Sequence, residues 1–237
     1  MSKFKNEFLN LVKYSKMSKF LTLKCLSVHI GSQILSPRPY EKMLKVIDRV
    51  INKANYRFEF IDLGGGFGIS YEKNNKKFNF KIFNFLINNF LKKHRSKIIF
   101  EPGRSIIANT GILISKVLYI KRNKNKNFII LDAAMNDFMR TALYGAKHEI
   151  IPSITNRRIL NEKFEFVGPI CESTDKFLTV KKFQFIKEKD LIIICDVGAY
   201  GMSLASNYNV RPLPAEILVK NSSAKIIRNR QKLTDLI

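Results

Sequence analysis

The sequence is short of acidic residues, short of cysteine and without a long apolar run. Its 237 residues include three cysteines, Cys25, Cys171 and Cys195. Their spacing fits neither a metal site nor an even set of disulfides, so we expect no metal and a reducing, cytoplasmic environment. No apolar run reaches the roughly 18 residues that a membrane helix needs, so we expect no membrane-spanning segment and no membrane partner.

The first 20 residues also lack the features of a secretory signal peptide. They are basic, but they contain no uninterrupted apolar stretch and no cleavage site. Phe4, Phe8, Leu11, Val12 and Ser15 recur at helical spacing, which predicts an amphipathic helix. An organellar transit peptide is the weaker alternative.

The shortage of acids leaves a large positive charge. Lys and Arg number 42 and Asp and Glu number 19, giving a formal charge of +23, which first suggests nucleic acid or an anionic membrane as a partner. The basic residues are mostly lysines scattered among Asn, Ile and Phe, a mixture that AT-rich codon usage would give to any protein. Local basic runs occur only at 121–127 and 220–232, and each is predicted to be a solvated loop or end. We therefore expect no nucleic-acid partner and keep a nucleic-acid-binding module only as an alternative.

Residues 1–109 alternate strand-like and helix-like segments. Strands are predicted at 23–30, 58–62 and 97–101, with one helix opened by Pro37 and Pro39 and another over about 76–94. This is the pattern of a parallel sheet covered by helices, an α/β arrangement. The positions predicted to face inward are Met43, Leu44, Ile47, Val50 and Ile51 in the first of these helices and Phe80, Phe83, Leu86, Ile87, Phe90 and Leu91 in the second.

The pattern changes at about Asn109. From there to residue 220, short strand-like runs lie between turn residues, which predicts an all-β domain, either a barrel or a sandwich. Polar clusters interrupt these runs at 135–148, 171–175 and 198–208. Residues 221–237 are predicted to form a basic tail.

A run of three glycines, Gly64, Gly65 and Gly66, follows the second predicted strand. Without Cβ atoms, such a loop lets backbone N–H groups approach an anion, and phosphate is the obvious ligand. A tight turn with no ligand explains the glycines equally well. The spacing excludes a dinucleotide fold, because Ile69 stands where a third fingerprint glycine is needed.

Polar residues stand at the ends of all three predicted strands in the first domain. They are His29, then Asp62 with the glycines, then Glu101 with Arg104. Parallel α/β folds place their chemistry at the carboxyl ends of strands, so three such residues in register predict a site. Considered alone, each has a purely structural explanation. His29 would be a hydrogen-bonded histidine at the end of a strand, and Glu101 with Arg104 would be a structural ion pair.

Six motifs stand in order along the chain: HIGSQ at 29–33, DLGGGFGISY at 62–71, EPGR at 101–104, LYGAKH at 143–148, GPICES at 168–173 and GAYGMSLASNYNVRPLPAE at 198–216. Together they resemble the diaminopimelate decarboxylases, pyridoxal-phosphate enzymes of the alanine-racemase-like, fold type III group. The resemblance runs from about Phe4 to Val219. It implies a (β/α)₈ TIM barrel followed by a C-terminal β domain, with this chain holding the last three β/α units of the barrel.

The resemblance also implies a pyridoxal 5'-phosphate site. The cofactor phosphate is expected to bind at the glycine loop with Ser32, Gly103 and Arg104, and His29 is expected to stack on the pyridine ring. Glu101 is expected to pair with the ring nitrogen, so that the ring can accept the electron pair released with CO₂. Residues implied to bind the cofactor are His29, Ser32, Gly64, Gly65, Gly66, Glu101, Gly103, Arg104 and Tyr200.

The same resemblance implies a substrate site. Arginine suits a bidentate grip on a carboxylate. Glu172 is expected to take the distal ammonium group, and Cys171 is expected to protonate the carbanion in the neighbouring subunit's site. The implied substrate-binding residues are Arg104, Arg140, Tyr144, Glu172 and Tyr200, and a homodimer with shared sites is the implied partner.

The sequence departs from the family in two local positions and one large respect. Thr141 stands where the family usually has Pro, and Thr174 where it usually has Gly. The family's Schiff-base lysine lies in the early barrel strands, and none of the lysines here stands in a matching motif. We therefore expect a C-terminal portion of the enzyme, with another chain or segment supplying the rest of the barrel.

The implied reaction is decarboxylation of meso-2,6-diaminopimelate to L-lysine and CO₂. Glu172 and the LYGA stretch favour this substrate, since its distal end carries charges that a shorter diamine precursor lacks. A related ornithine, arginine or carboxynorspermidine decarboxylase is the near alternative. A non-catalytic remnant or interaction subunit is the alternative from a different class.

Overall fold

The computed structural model describes residues 2–71, 77–124 and 126–236, with side chains from residue 6 onward. The chain divides into two compact units. The first takes in residues up to Ser70 and the segment that ends at Ile106, and the second takes in Tyr71 and the described residues from Ile107 onward. Among the described residues, no helix is both long enough and apolar enough to span a membrane.

The first unit is a three-stranded parallel sheet covered by helices. The strands lie in the order β1-β2-β3, with Cys25 paired to Phe60 and Phe60 paired to Lys97. The alternation predicted from the sequence is therefore confirmed, with shorter strands than expected. The elements are α1 (Ser2–Met17), β1 (Cys25–Ser27), α2 (Arg38–Ala54), β2 (Phe60–Asp62), α3 (Phe80–His94), β3 (Lys97–Ile99) and α4 (Arg104–Ile107), the last crossing the division between units.

Helix α2 shows how local sequence sets these elements. Pro37 and Pro39 lie at its first turn, where the missing N–H of proline costs nothing, and Asn55 ends it in the left-handed conformation at φ 44°. Its apolar stripe packs into the core of the first unit. The buried members are Tyr40, Met43, Leu44, Ile47, Ile51 and Ala54.

One predicted inward position, Phe80, is wrong, and one residue of the predicted amphipathic helix, Leu11, lies on its exposed side. Leu11 of α1 is 52% exposed, because the buried face of that helix is formed by Val12 and Ser15. Phe80 is 56% exposed at the start of α3, where Asn79 caps the helix by accepting from the N–H of Ile82. The predicted start of this helix at Lys76 and the side chain of Phe4 lie outside the described residues.

The second unit is rich in β-strands, as predicted. Its main sheet has six strands in the order β6-β11-β4-β5-β8-β9, antiparallel except for the pair β5 and β8. Two further pairs, β7 with β10 and β12 with β13, complete it. The elements are β4 (Leu113–Arg122), β5 (Asn127–Leu131), α5 (Arg140–Tyr144), β6 (Ile150–Pro152), β7 (Ile159–Leu160), β8 (Phe164–Val167), β9 (Lys176–Val180), β10 (Phe183–Gln184), β11 (Leu191–Ile194), β12 (Glu216–Lys220) and β13 (Ser223–Arg228), with short 3₁₀ helices at Ala108–Thr110, Met202–Leu204, Tyr208–Val210 and Leu233–Asp235.

The described residues of the basic segments are mostly exposed, as predicted for a solvated loop and end, but parts of both segments form strands. Residues 223–228 form β13, which pairs with β12 through a turn that places Asn221 at φ 54°. Beyond it, the N–H of Gln231 donates to the carbonyl of Leu213 at 3.1 Å. The predicted tail is therefore a hairpin and its continuation within the second unit. Strands β4 and β5 likewise extend into the basic run at 121–127, of which Asn125 lies outside the described residues.

Candidate active site

The three parallel strands continue as a hydrogen-bonded ladder beyond their carboxyl ends. The N–H of Val28 donates to the carbonyl of Asp62 at 2.9 Å, and that of Leu63 donates to Ile99 at 3.0 Å. One step later, the N–H of Glu101 donates to the carbonyl of Gly64 at 2.9 Å. His29, the glycine run and Glu101 therefore lie side by side at one edge of the sheet.

The glycines are required by close backbone packing. A Cβ on Gly65 would lie 2.1 Å from the carbonyl oxygen of Glu101, and one on Gly66 would lie 2.3 Å from that of Gly31. Gly64 and Gly66 also have φ values of 65° and 88°, which side-chain-bearing residues rarely adopt. Each of the three positions therefore excludes a larger residue for a steric reason of its own.

Two of the three glycine amides are used inside the unit. The N–H of Gly64 donates to Asp62 Oδ1 at 2.8 Å, and that of Gly65 donates to His29 Nδ1 at 3.4 Å. For the N–H of Gly66, no partner is found in the described part of the chain. The alternative of a tight turn without a ligand therefore explains the amides of Gly64 and Gly65. The amide of Gly66 is the one in this run that could donate to an anion.

The HIGSQ and glycine segments are tied together by further bonds. The N–H of Ile34 donates to Gly66, and the N–H of Gly68 donates back to Ile34, at 2.9 and 3.0 Å. Gln33 has a φ of 61°, and its side-chain amide makes two hydrogen bonds to the backbone of Ile69. Its Nε2 donates to the carbonyl of Ile69, and its Oε1 accepts from the N–H of Ile69. Sequence reasoning missed Gln33, although the motif containing it was recognised.

Tyr40 supports the glycine run from the core. Its side chain is fully buried in α2, and its hydroxyl donates to the carbonyl of Gly65 at 2.7 Å. Burial raises the pKa of this phenol to about 12, and the protonated hydroxyl is the donor to Gly65. The predicted inward face of α2 pointed to its neighbours but did not include Tyr40.

Ser32 and Arg104 form the polar pair next to this loop. The Arg104 guanidinium donates to Ser32 Oγ at 3.0 Å, across 72 residues of sequence. A Cβ on Gly103, the residue before Arg104, would meet nothing within 4 Å. A cation, a hydroxyl and a backbone with open space are the donor set that a phosphate group needs, so these residues fit the cofactor that the resemblance implies.

Arg140 in the second unit is enclosed by aromatic rings. It is 5% exposed, and its guanidinium carbon lies 5.5, 5.9 and 5.8 Å from the ring centroids of Tyr71, Tyr144 and Tyr200. Its Nη2 also lies 3.4 Å from the Tyr71 hydroxyl. Arginine stacks well on aromatic faces and keeps its charge when buried, so this cage holds a permanent cation in a defined place.

Cys171 and Glu172 lie in an exposed loop that is fixed by a buried aspartate. Asp175 accepts from the N–H groups of Met135 and Ile170, at 2.7 and 2.8 Å. Burial raises the pKa of Asp175, whereas hydrogen bonds led by that from the backbone of Thr174 lower the pKa of Glu172. The Glu172 carboxylate is therefore ionised at neutral pH, in the form that binds an ammonium group.

Asn136 and Arg211 connect the polar segment at 135–148 with the last motif of the chain. The Nε of Arg211 donates to Asn136 Oδ1 at 2.9 Å and its Nη2 donates to the carbonyl of Asp132 at 2.6 Å. Asn136, which is fully buried, also exchanges bonds with the backbone of Ser206. The NVRP end of the last motif thus anchors the segment that carries Tyr200, a role the sequence did not reveal.

The predicted site residues fall into two groups by unit. The first unit contains His29, Ser32, the three glycines, Glu101, Gly103 and Arg104, whereas the second contains Arg140, Tyr144, Cys171, Glu172 and Tyr200. Within the described residues, no group of three or more His, Cys, Asp or Glu side chains could hold a metal ion.

Comparisons with known proteins agree with the motifs. Residues 14–198 match the family model of the pyridoxal-dependent decarboxylases, C-terminal sheet domain. The chain is 40% identical over 233 residues to the diaminopimelate decarboxylase of Zymomonas mobilis, covering 96% of this chain and 55% of the relative. It is 38% identical over 225 residues to that of Aquifex aeolicus, with 92% and 53% covered.

The same similarity is found among solved structures. The diaminopimelate decarboxylase of Helicobacter pylori complexed with L-lysine superposes with a TM-score of 0.88 at 39% identity, covering 98% of this chain and 58% of that one. The chain therefore spans little more than half the length of the relatives it matches. With a family model that matches most of its residues, this chain belongs to the pyridoxal-dependent decarboxylase family.

Proposed function

We propose that this chain takes part in the decarboxylation of meso-2,6-diaminopimelate to L-lysine and CO₂. The observation that carries the proposal is the convergence of His29, the glycine run and Glu101 at one edge of the parallel sheet. The curated relatives at 38–40% identity are named diaminopimelate decarboxylases, which supports this substrate over ornithine or arginine. Because the chain spans about half of their length, the proposal includes a partial (β/α)₈ barrel completed by further β/α units.

The first unit would hold the cofactor. Ser32 and Arg104, already 3.0 Å apart, would bind the phosphate together with the Gly66 amide. His29, fixed through Nδ1 by the Gly65 amide, would present its ring face to the pyridine, and Glu101 would pair with the pyridine nitrogen. When bound, pyridoxal phosphate supplies an electron sink for the pair released as CO₂ leaves.

The second unit would hold the substrate. Arg140 would grip a substrate carboxylate, and Tyr144 and Tyr200, which flank its guanidinium, would restrict the direction of approach. Arg104 is proposed to contact the substrate as well as the cofactor, and so is Tyr200. Glu172, an exposed carboxylate whose pKa is lowered by its hydrogen bonds, would bind the distal ammonium group. A distal ammonium with its own carboxylate distinguishes diaminopimelate from shorter diamine precursors.

Cys171 would supply the final proton. Its thiol is exposed, so it is available to a neighbouring molecule. Its Sγ–H would protonate the substrate carbon that has lost CO₂, in the active site of the second subunit of a homodimer. Cys171→Ser should therefore lower turnover while leaving cofactor binding unchanged, and kcat with fluorescence of bound cofactor would measure the two effects.

The direct test is binding and turnover by the purified protein. Pyridoxal phosphate should bind with an affinity that falls about tenfold or more in Arg104→Gln, since a charged hydrogen bond to phosphate is lost. Turnover of diaminopimelate, ornithine and arginine should then be measured with the protein alone and with the remaining β/α units of a relative added. Lysine formation absent in every mixture, while another amino acid is decarboxylated, would overturn the substrate assignment.

A non-catalytic subunit is the second candidate, favoured by the coverage of only about half of each relative. It would bind a full-length decarboxylase through the same dimer surface. Under this alternative, mixing the chain with a full-length relative would give a stable complex whose activity is unchanged by Cys171→Ser. Cofactor binding with turnover in the completed barrel would exclude it.

A further inference from the structure

His148 is a buried histidine to which neither the resemblance nor the proposed mechanism gives a role. It closes the LYGAKH motif, and only 1% of it is exposed. Its ring lies between Tyr71, at a centroid distance of 4.5 Å, and Phe138, at 4.6 Å in an edge arrangement. Packing on both sides leaves the ring one orientation.

The contacts of its two nitrogens define its protonation. His148 Nδ1 lies 2.9 Å from the carbonyl oxygen of Cys195, which can only accept a hydrogen bond. Nδ1 must therefore carry the proton. His148 Nε2 lies 3.4 Å from Arg140 Nε, which can only donate, so Nε2 must be the acceptor. The contacts together require a neutral ring with its proton on Nδ1.

This bond limits the freedom of Arg140. A guanidinium held only by three aromatic faces could rotate or slide along them, because such contacts are weakly directional. The Nε bond to His148 fixes the plane of the group, and the Tyr71 hydroxyl fixes one of its terminal nitrogens. A bidentate grip on a carboxylate needs just such a fixed plane.

We propose that His148 is a positioning residue that orients the Arg140 guanidinium for the substrate carboxylate. The proposal rests on the proposed function only for the identity of the ligand. Two hydrogen bonds link the Cys195 carbonyl to His148 and His148 to Arg140. The backbone that follows β11 therefore fixes the orientation of the imidazole ring, and the ring fixes the orientation of the guanidinium.

The first test uses the unchanged protein. Nitrogen-15 NMR of the His148 ring should show a protonated Nδ1 and an unprotonated Nε2 at neutral pH, and the Arg140 Nε–H should exchange slowly with water. A ring protonated at Nε2, or an Arg140 Nε–H that exchanges at the rate of a surface arginine, would overturn the proposal. This result depends on neither cofactor nor turnover, so it is separate from the fate of the proposed function.

The second test uses two substitutions that each keep one of the two bonds. In His148→Asn, the amide nitrogen can replace Nδ1 and donate to the Cys195 carbonyl, but the shorter side chain has no atom that can accept from Arg140 Nε. In His148→Gln, the amide oxygen can replace Nε2 and accept from Arg140 Nε. With L-lysine as the probe and pyridoxal phosphate present, calorimetry should give a Kd about tenfold weaker for the Asn variant.

The Gln variant should bind L-lysine within about threefold of the unchanged protein, since the bond to Arg140 is retained. Equal weakening in both variants, or none in the Asn variant, would overturn the positioning role. Should either variant fail to fold, the NMR measurement on the unchanged protein decides. If L-lysine does not bind the unchanged protein, the proposed function and the ligand named here both fail, while the NMR result still decides whether His148 holds Arg140.

Discussion

Replacing Gly65 with Ala should destabilise the first unit through one steric contact. Gly65 does not have a positive φ, so Ala meets no backbone strain there. Its Cβ, however, would lie 2.1 Å from the carbonyl oxygen of Glu101. The two atoms must separate by about 1.3 Å to reach the 3.4 Å at which ordinary contact begins. The new Cβ is attached rigidly to the backbone of residue 65 and the atom that it meets belongs to the backbone of Glu101, so no side-chain rotation can relieve the clash.

The cost follows from what must move. Shifting the Glu101 carbonyl disturbs the strand-end ladder, in which the N–H of Glu101 donates to Gly64 at 2.9 Å. Overpacking costs about 1–3 kcal/mol, and one weakened buried hydrogen bond adds about 1 kcal/mol, so Gly65→Ala should lose about 2–4 kcal/mol. For a unit of about 100 residues, that loss corresponds to roughly 10–30 °C in Tm.

Thermal unfolding followed by circular dichroism measures this loss, and the chain offers a matched control. Gly103→Ala adds the same methyl group where nothing lies within 4 Å, so its Tm should stay within about 2 °C of the unchanged protein. If Gly65→Ala unfolds at the same temperature as Gly103→Ala, the close packing of the glycine run against Glu101 is refuted.

Two further predictions concern single hydrogen bonds. Tyr40→Phe should lower the stability by about 1–3 kcal/mol, because the buried carbonyl of Gly65 loses its donor at 2.7 Å; urea unfolding with an unchanged midpoint would contradict this. The hydrogen bond from Lys93 is the largest cause lowering the pKa of Asp48, so the resulting stabilisation is present above the unfolded-state pKa of about 3.9 and is lost as the pH falls through the lowered value. In Lys93→Met, NMR titration should show the pKa of Asp48 rising, and an unmoved pKa would refute the pairing.

The sequence predicted the fold of the first unit well because its signals are local. Apolar runs such as that ending at Asp62 finish in polar or glycine residues, and parallel strands bring those ends to one edge. Strand β7, with two residues at Ile159–Leu160, could not be predicted, because so short a strand is defined by its distant partner β10 and shows no periodicity in the sequence. The hairpin of β12 and β13 was missed because its lysines resembled a solvated tail.

The site was predictable to the extent that it lies in contiguous motifs. The resemblance grouped Arg140 with Tyr144 and Tyr200, but the residue pattern did not predict that Tyr71 joins them, since the three tyrosines meet only in the folded chain. Nor does any residue type reveal that His148 faces Arg140 eight residues earlier, because α5 ends between them and Gly145 turns the chain at φ 60°.

Gly65 and Gly103 differ in what surrounds the missing Cβ, and this difference indicates a structural role for the first and a ligand-binding role for the second. At Gly65, the space that a Cβ would occupy is taken by the backbone of Glu101, so this glycine is needed for packing within the unit. Gly103 has open space around its missing Cβ and lies beside the Arg104 that we propose for the phosphate. A side chain at Gly103 should therefore leave stability unchanged and lower the affinity for pyridoxal phosphate. Fluorescence titration of Gly103→Val can show this, and an unchanged affinity would place the cofactor phosphate elsewhere.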